Sequence, residues 1–274
     1  MKKKFYFQGE LGAFSEEVGF KFFGTDAIGI PCMEFEDVIK FTLRAKDSFG
    51  ILPIENSIIG SIHSNYDLIY NSKLYIVGEK YLEIRHHLIG HTGIKLFQIK
   101  KIISHPAAIQ QCKNFLKKLK NVEIEYAYDT AGSVKKIKEQ NLIDTAAIAS
   151  EISASIYKMK ILVKNIQDTD NNITRFLILS KKKVLPKKNP KTSIVFALQN
   201  VPGSLYKALS VFALREIDLT KIESRPIPNK PFEYYFYLDF KGSLEEKRCK
   251  NALNNLKEIS TSLKVLGSYE ADTF

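Results

Sequence analysis

The sequence predicts an α/β protein with two folded domains joined by a charged connector. Strand-like and helix-like patterns alternate along residues 1–180, a lysine- and proline-rich stretch covers residues 181–191, and residues 192–274 follow the order β-α-β-β-α-β. Alternation of strands and helices is typical of α/β folds with largely parallel sheets. A chain of 274 residues is long enough for one large or two modest domains.

The first predicted domain contains eight short apolar runs that are typical of β-strands. They lie at residues 5–8, 27–30, 49–53, 74–82, 99–104, 122–128, 145–149 and 175–180. Between them, residues 35–45 and 107–119 carry apolar side chains three and four positions apart, which predicts helices. Ser15, followed by Glu16 and Glu17, is expected to cap the start of another helix. Such folds bind ligands beyond the carboxyl ends of strands, so the loops there are candidate sites.

The connector at residues 181–191 accounts for most of the net charge. The chain carries 41 Lys and Arg against 30 Asp and Glu, a formal charge of +11. The connector holds six lysines and no acid, and residues 2–4 add three more lysines, so the domain bodies are close to neutral. Pro186 and Pro190 oppose helix and central strand, and like charges extend a linker. The charge therefore indicates a domain boundary and argues against a nucleic-acid partner.

The second predicted domain has a distinct order of elements. Strands are expected at 193–199, 219–223, 234–240 and 264–269, and helices at 202–214 and 244–259. This β-α-β-β-α-β order is the split, ferredoxin-like pattern. Many functions use that fold, so the order alone does not identify one. The aromatic run at 234–237 has no interleaved Lys or Arg, which favours a core strand over a surface that stacks nucleic-acid bases.

Composition also bears on membranes and compartment. No apolar run reaches the ~18 residues needed to cross a bilayer, and Gly9 and Glu10 interrupt the basic start before a signal peptide could form. Cys32, Cys112 and Cys249 are odd in number and scattered, which indicates a reducing compartment. We therefore expect a cytoplasmic protein with no membrane partner.

Polar residues concentrate at four junctions between strands and helices. These are residues 9–15 (GELGAFS), 53–60 (PIENSIIG), 104–106 (SHP) with the nearby Gln110 and Gln111, and 170–176 (DNNITRF). Backbone N–H groups and short donors at such places favour anions, although each cluster alone is also consistent with ordinary turn and cap chemistry. His86, His87 and His91 match no zinc-protease spacing, so we expect surface or packing roles and no metal.

Taken together and in order, these motifs resemble a known family. The segments GxxGxFS, PIENSxxG, SHPxxxxQC and NxTRF are similar to those of the prephenate dehydratases, and PGSLY at 202–206 and ESRP at 223–226 resemble the regulatory ACT domain of that family. The resemblance covers nearly the whole chain. It departs at Ser204, where the family usually has alanine, and in DTAGS at 129–133, where glycine replaces a bulkier residue.

The resemblance implies a domain plan and an activity. The plan is a two-lobed catalytic domain at 1–180, like that of type II periplasmic binding proteins, a linker at 181–191 and an ACT domain at 192–274. The activity is the conversion of prephenate to phenylpyruvate, carbon dioxide and water, with L-phenylalanine as effector and no cofactor or metal. The family also implies a homodimer or homotetramer that pairs through the ACT domains.

The resemblance assigns roles to individual residues. Thr174 becomes the donor to the leaving hydroxyl, and Arg175 a candidate carboxylate anchor, although Arg175 could instead brace Asp170 or Glu55. The expected substrate set is Asn56, Ser57, Ser104, Gln111 and Glu55, with Glu55 orienting its neighbours because its charge would repel a dianion. The expected effector set is Gly203, Ser204, Leu205, Glu223, Ser224, Arg225 and Pro226.

Two alternatives stay open on the sequence. Arogenate, which has an ammonium group where prephenate has a keto group, is a second possible substrate. A non-catalytic, amino-acid-responsive protein that binds small anions would share the two-lobed domain. An assay for aromatic product without added cofactor separates the catalytic alternatives from the binding protein.

Overall fold

The computed structural model describes residues 2–273 and divides into two compact units. The first comprises the residues up to 62 together with 81–176, and the second comprises 63–80 together with the residues from 177 onward. None of the described helices is long and apolar enough to span a membrane.

Up to residue 180, strands and helices alternate much as the sequence predicts. The strands are β1 (Lys4–Gln8), β2 (Ile28–Cys32), β3 (Ser48–Asn56), β4 (Gly60–Ser61), β5 (Tyr75–Glu83), β6 (His87–Gly90), β7 (Lys101–Ser104), β8 (Glu123–Tyr126), β9 (Thr145–Ala149), β10 (Lys160–Val163) and β11 (Ile173–Ser180). The helices are α1 (Phe14–Phe23), α2 (Phe35–Arg44), α3 (His63–Asn71), α4 (Pro106–Gln111), α5 (Lys113–Leu116), α6 (Thr130–Glu139) and α7 (Glu151–Ile156), with a 3-10 turn at Leu96–Gln98. The helix predicted at 107–119 is therefore two short helices, broken at Cys112.

The first unit has two lobes, each with its own sheet. One sheet has the order β2-β1-β3-β11-β5, with β4 paired to β3, and its strands β5 and β11 continue from one unit into the other. The second sheet has the order β10-β6-β9-β7-β8. Phe5, Phe7 and Ile51 are fully buried in the first lobe, and Ile89, Ile103 and Val134 in the second.

The prediction of parallel pairing is correct for part of these sheets. Strand β1 is parallel to β2 and β3, and β7 is parallel to β8 and β9. Strand β6, in contrast, is antiparallel to both β9 and β10. The second sheet is therefore mixed, with parallel and antiparallel pairs.

Two crossings of the chain join the lobes and lie against each other. Residues 84–86 lead from β5 to β6, and residues 164–172 lead from β10 to β11. The Ile84 N–H donates to the Asn172 carbonyl at 2.7 Å, and the Ile166 N–H donates to the His86 carbonyl at 2.9 Å. The crossings therefore bring residues near 86 and 172 together at the junction of the two lobes.

The prediction that Ser15 caps helix α1 is wrong. The helix begins at Phe14, its cap residue is Ala13, and Ser15 lies inside the first turn. The Glu16 carboxylate instead accepts a hydrogen bond from the Gly12 N–H at 2.6 Å. An acidic side chain within the first turn thus accepts from a backbone N–H that precedes the helix.

The second unit contains the predicted β-α-β-β-α-β order. Its elements from residue 190 onward are β12 (Pro190–Ala197), α8 (Ser204–Ala213), β13 (Leu219–Pro226), β14 (Tyr234–Lys241), α9 (Lys247–Ile259) and β15 (Ser262–Glu270). The antiparallel sheet has the order β13-β14-β12-β15. Phe196, Phe212 and Phe240 form its core with buried residues of α8 and α9, as expected for a ferredoxin-like fold.

The boundary of the second unit differs from the predicted one at two points. Strand β12 begins at Pro190, and the buried Lys191 is bonded to Glu79, so the end of the expected linker is part of the fold. Helix α3 also belongs to this unit, because Tyr66 and Tyr70 pack on Tyr237 and Tyr235 with ring centroids 4.8 and 4.5 Å apart. Local periodicity did not reveal that a helix between β4 and β5 would pack on a sheet formed more than 100 residues later.

Candidate active site

A cleft of about 490 Å³ lies within the first unit, at the junction of its two lobes. Its apolar lining includes Phe14, Phe35, Ile59, Ile84 and Phe176. Its polar lining consists of Gln8, Ser15, Glu34, Asn56, His86, His105, Gln111, Tyr128, Asp129, Thr130 and Thr174. Three of the seven residues expected to act on the substrate, Asn56, Gln111 and Thr174, are therefore in the wall of this cleft.

Asn56 organises the polar side of the cleft. Its side-chain oxygen accepts hydrogen bonds from the N–H groups of Ile58 and Ile59 at 3.0 and 3.1 Å, which fixes the orientation of the amide. The Asn56 Nδ2 group then donates to Thr174 Oγ1 at 2.9 Å and to Asn172 Oδ1 at 2.7 Å. Because the Thr174 oxygen accepts from Asn56, the hydroxyl proton of Thr174 is available to another acceptor.

Gln111 and His86 complete this set of hydrogen bonds. Gln111 Oε1 accepts from Asn172 Nδ2 at 2.9 Å and lies 2.8 Å from His86 Nε2. An amide oxygen can only accept, so His86 Nε2 carries a proton and donates it to Gln111. We call Asn56, His86, Gln111, Asn172 and Thr174 the amide cluster. All five are at least 93% buried, and each of their mutual hydrogen bonds joins residues distant in sequence.

The environment of His86 keeps the imidazole uncharged. Burial lowers the pKa of His86 to about 4, although the hydrogen bond with Gln111 opposes this shift. Its Nδ1 atom is buried and has no hydrogen-bond partner among the residues the structure describes. The amide cluster thus presents neutral donors and acceptors to whatever occupies the cleft.

Three ten-residue helices begin at the cleft. Phe14, Phe35 and Thr130 are the first residues of α1, α2 and α6, and all three contribute to the lining. The N-terminus of a helix carries a partial positive charge and N–H donors without partners inside the helix. The cleft is therefore suited to carboxylate groups, even though no Lys or Arg belongs to its lining within residues 2–273.

Asp129 places a carboxylate at the start of α6. One oxygen accepts from the Gly132 N–H and caps the helix, and the other accepts from the Glu10 N–H at 2.8 Å. Burial raises the pKa of Asp129, and these two N–H donors act in the opposite direction. A Cβ on Gly132 would clash with this carboxylate, which explains why a bulkier residue is absent there. We call Asp129 with its two donors the Asp129 cap.

Four residues predicted to act on the substrate do not belong to the cleft wall. Ser57 Oγ donates to the Asn171 carbonyl at 2.7 Å and accepts from the Ile173 N–H, and the fully buried Ser104 donates to the Ile148 carbonyl at 2.6 Å. Their hydroxyls hold the backbone in place. Glu55 precedes Asn56 on β3, and Arg175 follows Thr174 on β11. Because side chains alternate between the two faces of a strand, Glu55 and Arg175 lie on the faces opposite to Asn56 and Thr174.

The expected effector residues lie in two places in the second unit. Gly203, Ser204 and Leu205 line a separate cavity of about 380 Å³ near Asn200 and Phe232. Glu223 and Arg225 instead bond to helix α3: Glu223 to His63 at 2.8 Å, and Arg225 to Asp67 at 2.7 Å. Ser224 and Pro226 lie on the same strand, β13. Within one chain the two expected halves do not line one cavity.

Sequence reasoning missed three residues of the site. The sequence predicts a packing or surface role for His86, because the spacing of the histidines matches no zinc-protease pattern. Within residues 2–273, no group of His, Cys, Asp and Glu is suited to a metal ion. Asn172 and Asp129 were within the quoted segments DNNITRF and DTAGS, but received no role. Their proximity depends on the two chain crossings and on the β1–α1 turn, which local patterns do not reveal.

Comparisons with known proteins place this cleft in context. The prephenate dehydratase family profile matches residues 5–184. The chain is 46% identical to arogenate dehydratase/prephenate dehydratase 2, chloroplastic, of Arabidopsis thaliana, over 97% of this chain and 72% of the relative. A prephenate dehydratase from Arthrobacter aurescens, solved in complex with L-Phe, has a TM-score of 0.89 and 30% identity, and the match covers 97% and 90% of the two chains.

A third comparison shows that the same fold carries another named activity. The structure of GqqA, described as a novel type of quorum quenching acylase, has a TM-score of 0.87 and 29% identity, over 99% of this chain and 98% of that one. A shared fold does not determine a reaction. The residues of the cleft, and not the fold, determine which reaction this chain can carry out.

The cytoplasmic prediction is contradicted by the Arabidopsis relative, which is named a chloroplastic protein. The three cysteines are free and buried. Free thiols indicate a chain without disulfides, but they do not distinguish one reducing compartment from another. The cysteine content alone therefore does not identify the compartment.

Proposed function

The chain belongs to the prephenate dehydratase family, and on that premise we propose that it aromatises prephenate, or its amino analogue arogenate, by removing the ring carboxylate and the ring hydroxyl. The product is phenylpyruvate from prephenate and phenylalanine from arogenate. We assign the reaction to residues 1–180 and a regulatory ACT domain to residues 190–274, with residues 181–189 as the connector.

The chemistry requires positioning rather than a strong catalyst. The bond from the ring to its carboxylate breaks, carbon dioxide leaves, and the electron pair enters the ring. The carbon–oxygen bond of the ring hydroxyl breaks with its electron pair, and the departing oxygen takes up one proton from the solution to leave as water, so each turnover consumes one proton. Aromatisation supplies the driving force, so the protein has to orient the carboxylates and stabilise the departing oxygen.

The observation that carries this proposal is the hydrogen bond from Asn56 to Thr174. Since Asn56 donates to the Thr174 oxygen at 2.9 Å, the threonine can direct its own proton to an oxygen in the cleft. A threonine hydroxyl is too weak an acid to release a free proton at pH 7. Its role is a preorganised hydrogen bond that strengthens as negative charge develops on the leaving oxygen.

The helix starts at Phe14, Phe35 and Thr130 complement this donor. They offer partial positive charge to the substrate carboxylates, while the neutral His86 adds no charge beside the leaving group. The similarity to GqqA raises a competing hypothesis, in which the chain hydrolyses an acyl group. That hypothesis is less supported, because the histidine of the amide cluster is bonded to an amide, Gln111, and not to a hydroxyl that it would activate.

The test is a product assay on the purified full chain. Incubation with prephenate or with arogenate, without added cofactor, is expected to release one carbon dioxide for each phenylpyruvate or phenylalanine formed. An excess of chelator serves as a second condition and is expected to leave the rate unchanged. Binding of either compound without aromatic product would contradict the dehydratase proposal and favour the binding-protein alternative.

We also propose that L-phenylalanine is an effector of the second unit. Gly203, Ser204 and Leu205 supply one half of its site, and residues 223–226 of strand β13 in a second copy supply the other, so that the form that binds L-phenylalanine is a homodimer or homotetramer. The support is the separate cavity at 203–205 and the L-Phe complex of the Arthrobacter relative.

Calorimetry on the full chain tests the effector site. Leu205→Ala removes an apolar contact from the cavity wall and is expected to weaken L-phenylalanine binding about tenfold. Leu214→Ala is the matched control, because Leu214 is 82% exposed and lies outside that cavity. Equal affinities of wild type and Leu205→Ala would place the effector elsewhere.

A further inference from the structure

The charged side chains of the cleft wall are negative, whereas a substrate that carries only two negative charges would favour positive ones. Within the described part of the chain, the charged side chains in its wall are the carboxylates of Glu34 and Asp129, and no Lys or Arg is among the lining residues. The helix N-termini can bind the substrate carboxylates, but they do not explain why the protein has carboxylate side chains of its own in the same cavity. A cationic group on the substrate would explain it.

Asp129 is held in a fixed position. It is 7% exposed, and each of its oxygens accepts one backbone N–H, from Gly132 and from Glu10. Two glycines make room for it, since a Cβ at Gly9 would lie 2.5 Å from one carboxylate oxygen and a Cβ at Gly132 would clash with the other. Each carboxylate oxygen still has a lone pair for a further donor.

The lysine in the neighbourhood of this carboxylate is already engaged. Lys135, in α6, is paired with Glu10 at 3.1 Å, and the Tyr128 hydroxyl donates to the same Glu10 oxygen at 3.0 Å. Glu10 therefore pairs with the ammonium group of Lys135 and the phenol of Tyr128 beside Asp129. A desolvated carboxylate favours a charged donor in contact with it.

We propose that Asp129 is a specificity-determining residue that binds the α-ammonium group of arogenate, so that the chain prefers arogenate to prephenate. This inference rests on the proposed function and names its substrate. Thr130, the next residue, begins α6, so the α-carboxylate of the same amino acid meets the helix start while its ammonium meets Asp129. Prephenate would place a keto oxygen there, and two acceptors repel each other.

The test compares kcat/KM for arogenate and prephenate in the full chain. Asp129→Asn keeps an acceptor for the Gly132 N–H, and so a good helix cap, but it removes the charge and places an amide NH2 opposite the Glu10 N–H. Asp129→Ser removes the charge with a shorter side chain that can also cap the helix. Both are expected to lower the ratio of kcat/KM for arogenate over prephenate by about 30-fold or more, the scale of losing one partner of a buried charge pair. Asp144→Asn, at an exposed surface pair with Lys100, controls for charge removal and is expected to leave the ratio unchanged.

The possible results separate this inference from the proposed function. An equal loss for both substrates in Asp129→Asn and Asp129→Ser would make Asp129 a helix cap only, and a ratio that shifts in Glu34→Gln but not in Asp129→Asn would assign the ammonium to Glu34. Wild-type protein that converts prephenate but not arogenate would overturn the inference and leave the dehydratase proposal standing. Conversion of neither compound would overturn both.

Discussion

The amide cluster and the Asp129 cap are two buried polar regions of one cleft, and they are built in different ways. The amide cluster is neutral, and side-chain hydrogen bonds between residues up to 118 positions apart hold it together. The Asp129 cap is charged, and backbone N–H groups hold it. The difference suggests a division of work, in which the neutral region handles the leaving hydroxyl and the charged region selects the substrate.

The largest expected effect is at Thr174. Thr174→Val keeps the shape of the side chain and removes the donor, so kcat is expected to fall by about 10²- to 10³-fold with either substrate. Thr42→Val is the matched control, since Thr42 is also buried but its hydroxyl donates to the Val38 carbonyl within α2. Steady-state rates and thermal unfolding of both variants check the prediction. A Thr174→Val enzyme with near-normal kcat would remove Thr174 from the chemistry.

The neutrality of the amide cluster predicts a pH dependence of stability. The pKa of His86 is about 4 in the folded protein and about 6.5 when unfolded, so the unfolded state binds more protons between these values. Stability is therefore full above pH 6.5 and is lost as the pH falls toward 4, by at most about 3 kcal/mol from this group.

Denaturant unfolding of wild type and His86→Gln across pH 7 to 4 measures this contribution. The free energy of unfolding of the wild type should fall more steeply than that of the variant, because only the wild type gains the proton of His86 on unfolding. Parallel curves between pH 6.5 and 4 would show that the imidazole is not kept neutral by burial.

Substitution of Asn56 is expected to have an intermediate effect on kcat. Asn56→Asp replaces the donor to Thr174 with an acceptor, so the threonine proton turns toward residue 56 and away from the cleft. We expect kcat to fall by about tenfold to a hundredfold for both substrates alike. A change in the ratio of the substrates would instead assign Asn56 to substrate selection.

Ser104 is expected to show the smallest effect. Ser104→Ala leaves the Ile148 carbonyl without its buried donor and should reduce the free energy of unfolding by about 1–3 kcal/mol. Since Ser104 is outside the cleft wall, kcat should change far less than in Thr174→Val. Denaturant unfolding and steady-state rates measure the two effects, and a loss of kcat comparable to that of Thr174→Val would return Ser104 to the substrate set.

Sequence patterns predicted strand positions well and side-chain roles unevenly. The strands at 5–8, 49–53 and 145–149 recur within a few residues, because apolar runs and turn residues are local signals. Thr174 and Arg175 were assigned together, yet only Thr174 is in the cleft wall. Adjacent residues of a strand point to opposite faces, and which face borders the cleft depends on pairing with distant strands.

Two serine hydroxyls and one histidine also have roles that sequence patterns do not predict. Ser57 and Ser104 have the chemistry of substrate donors, but nearby carbonyls take up their hydrogen bonds. His86 has the chemistry of a metal ligand or a surface residue, but Gln111 and burial fix it as a neutral donor. In each case the partner lies at least 25 positions away, where sequence periodicity carries no information.

The proposed division of work between the two regions of the cleft is tested most directly by kcat/KM for arogenate and for prephenate in wild type, Thr174→Val and Asp129→Asn. If the two regions do separate work, Thr174→Val lowers both values by a similar factor and leaves their ratio unchanged, whereas Asp129→Asn lowers the ratio and largely spares prephenate. A ratio that changes in Thr174→Val, or an equal loss for both substrates in Asp129→Asn, would contradict it.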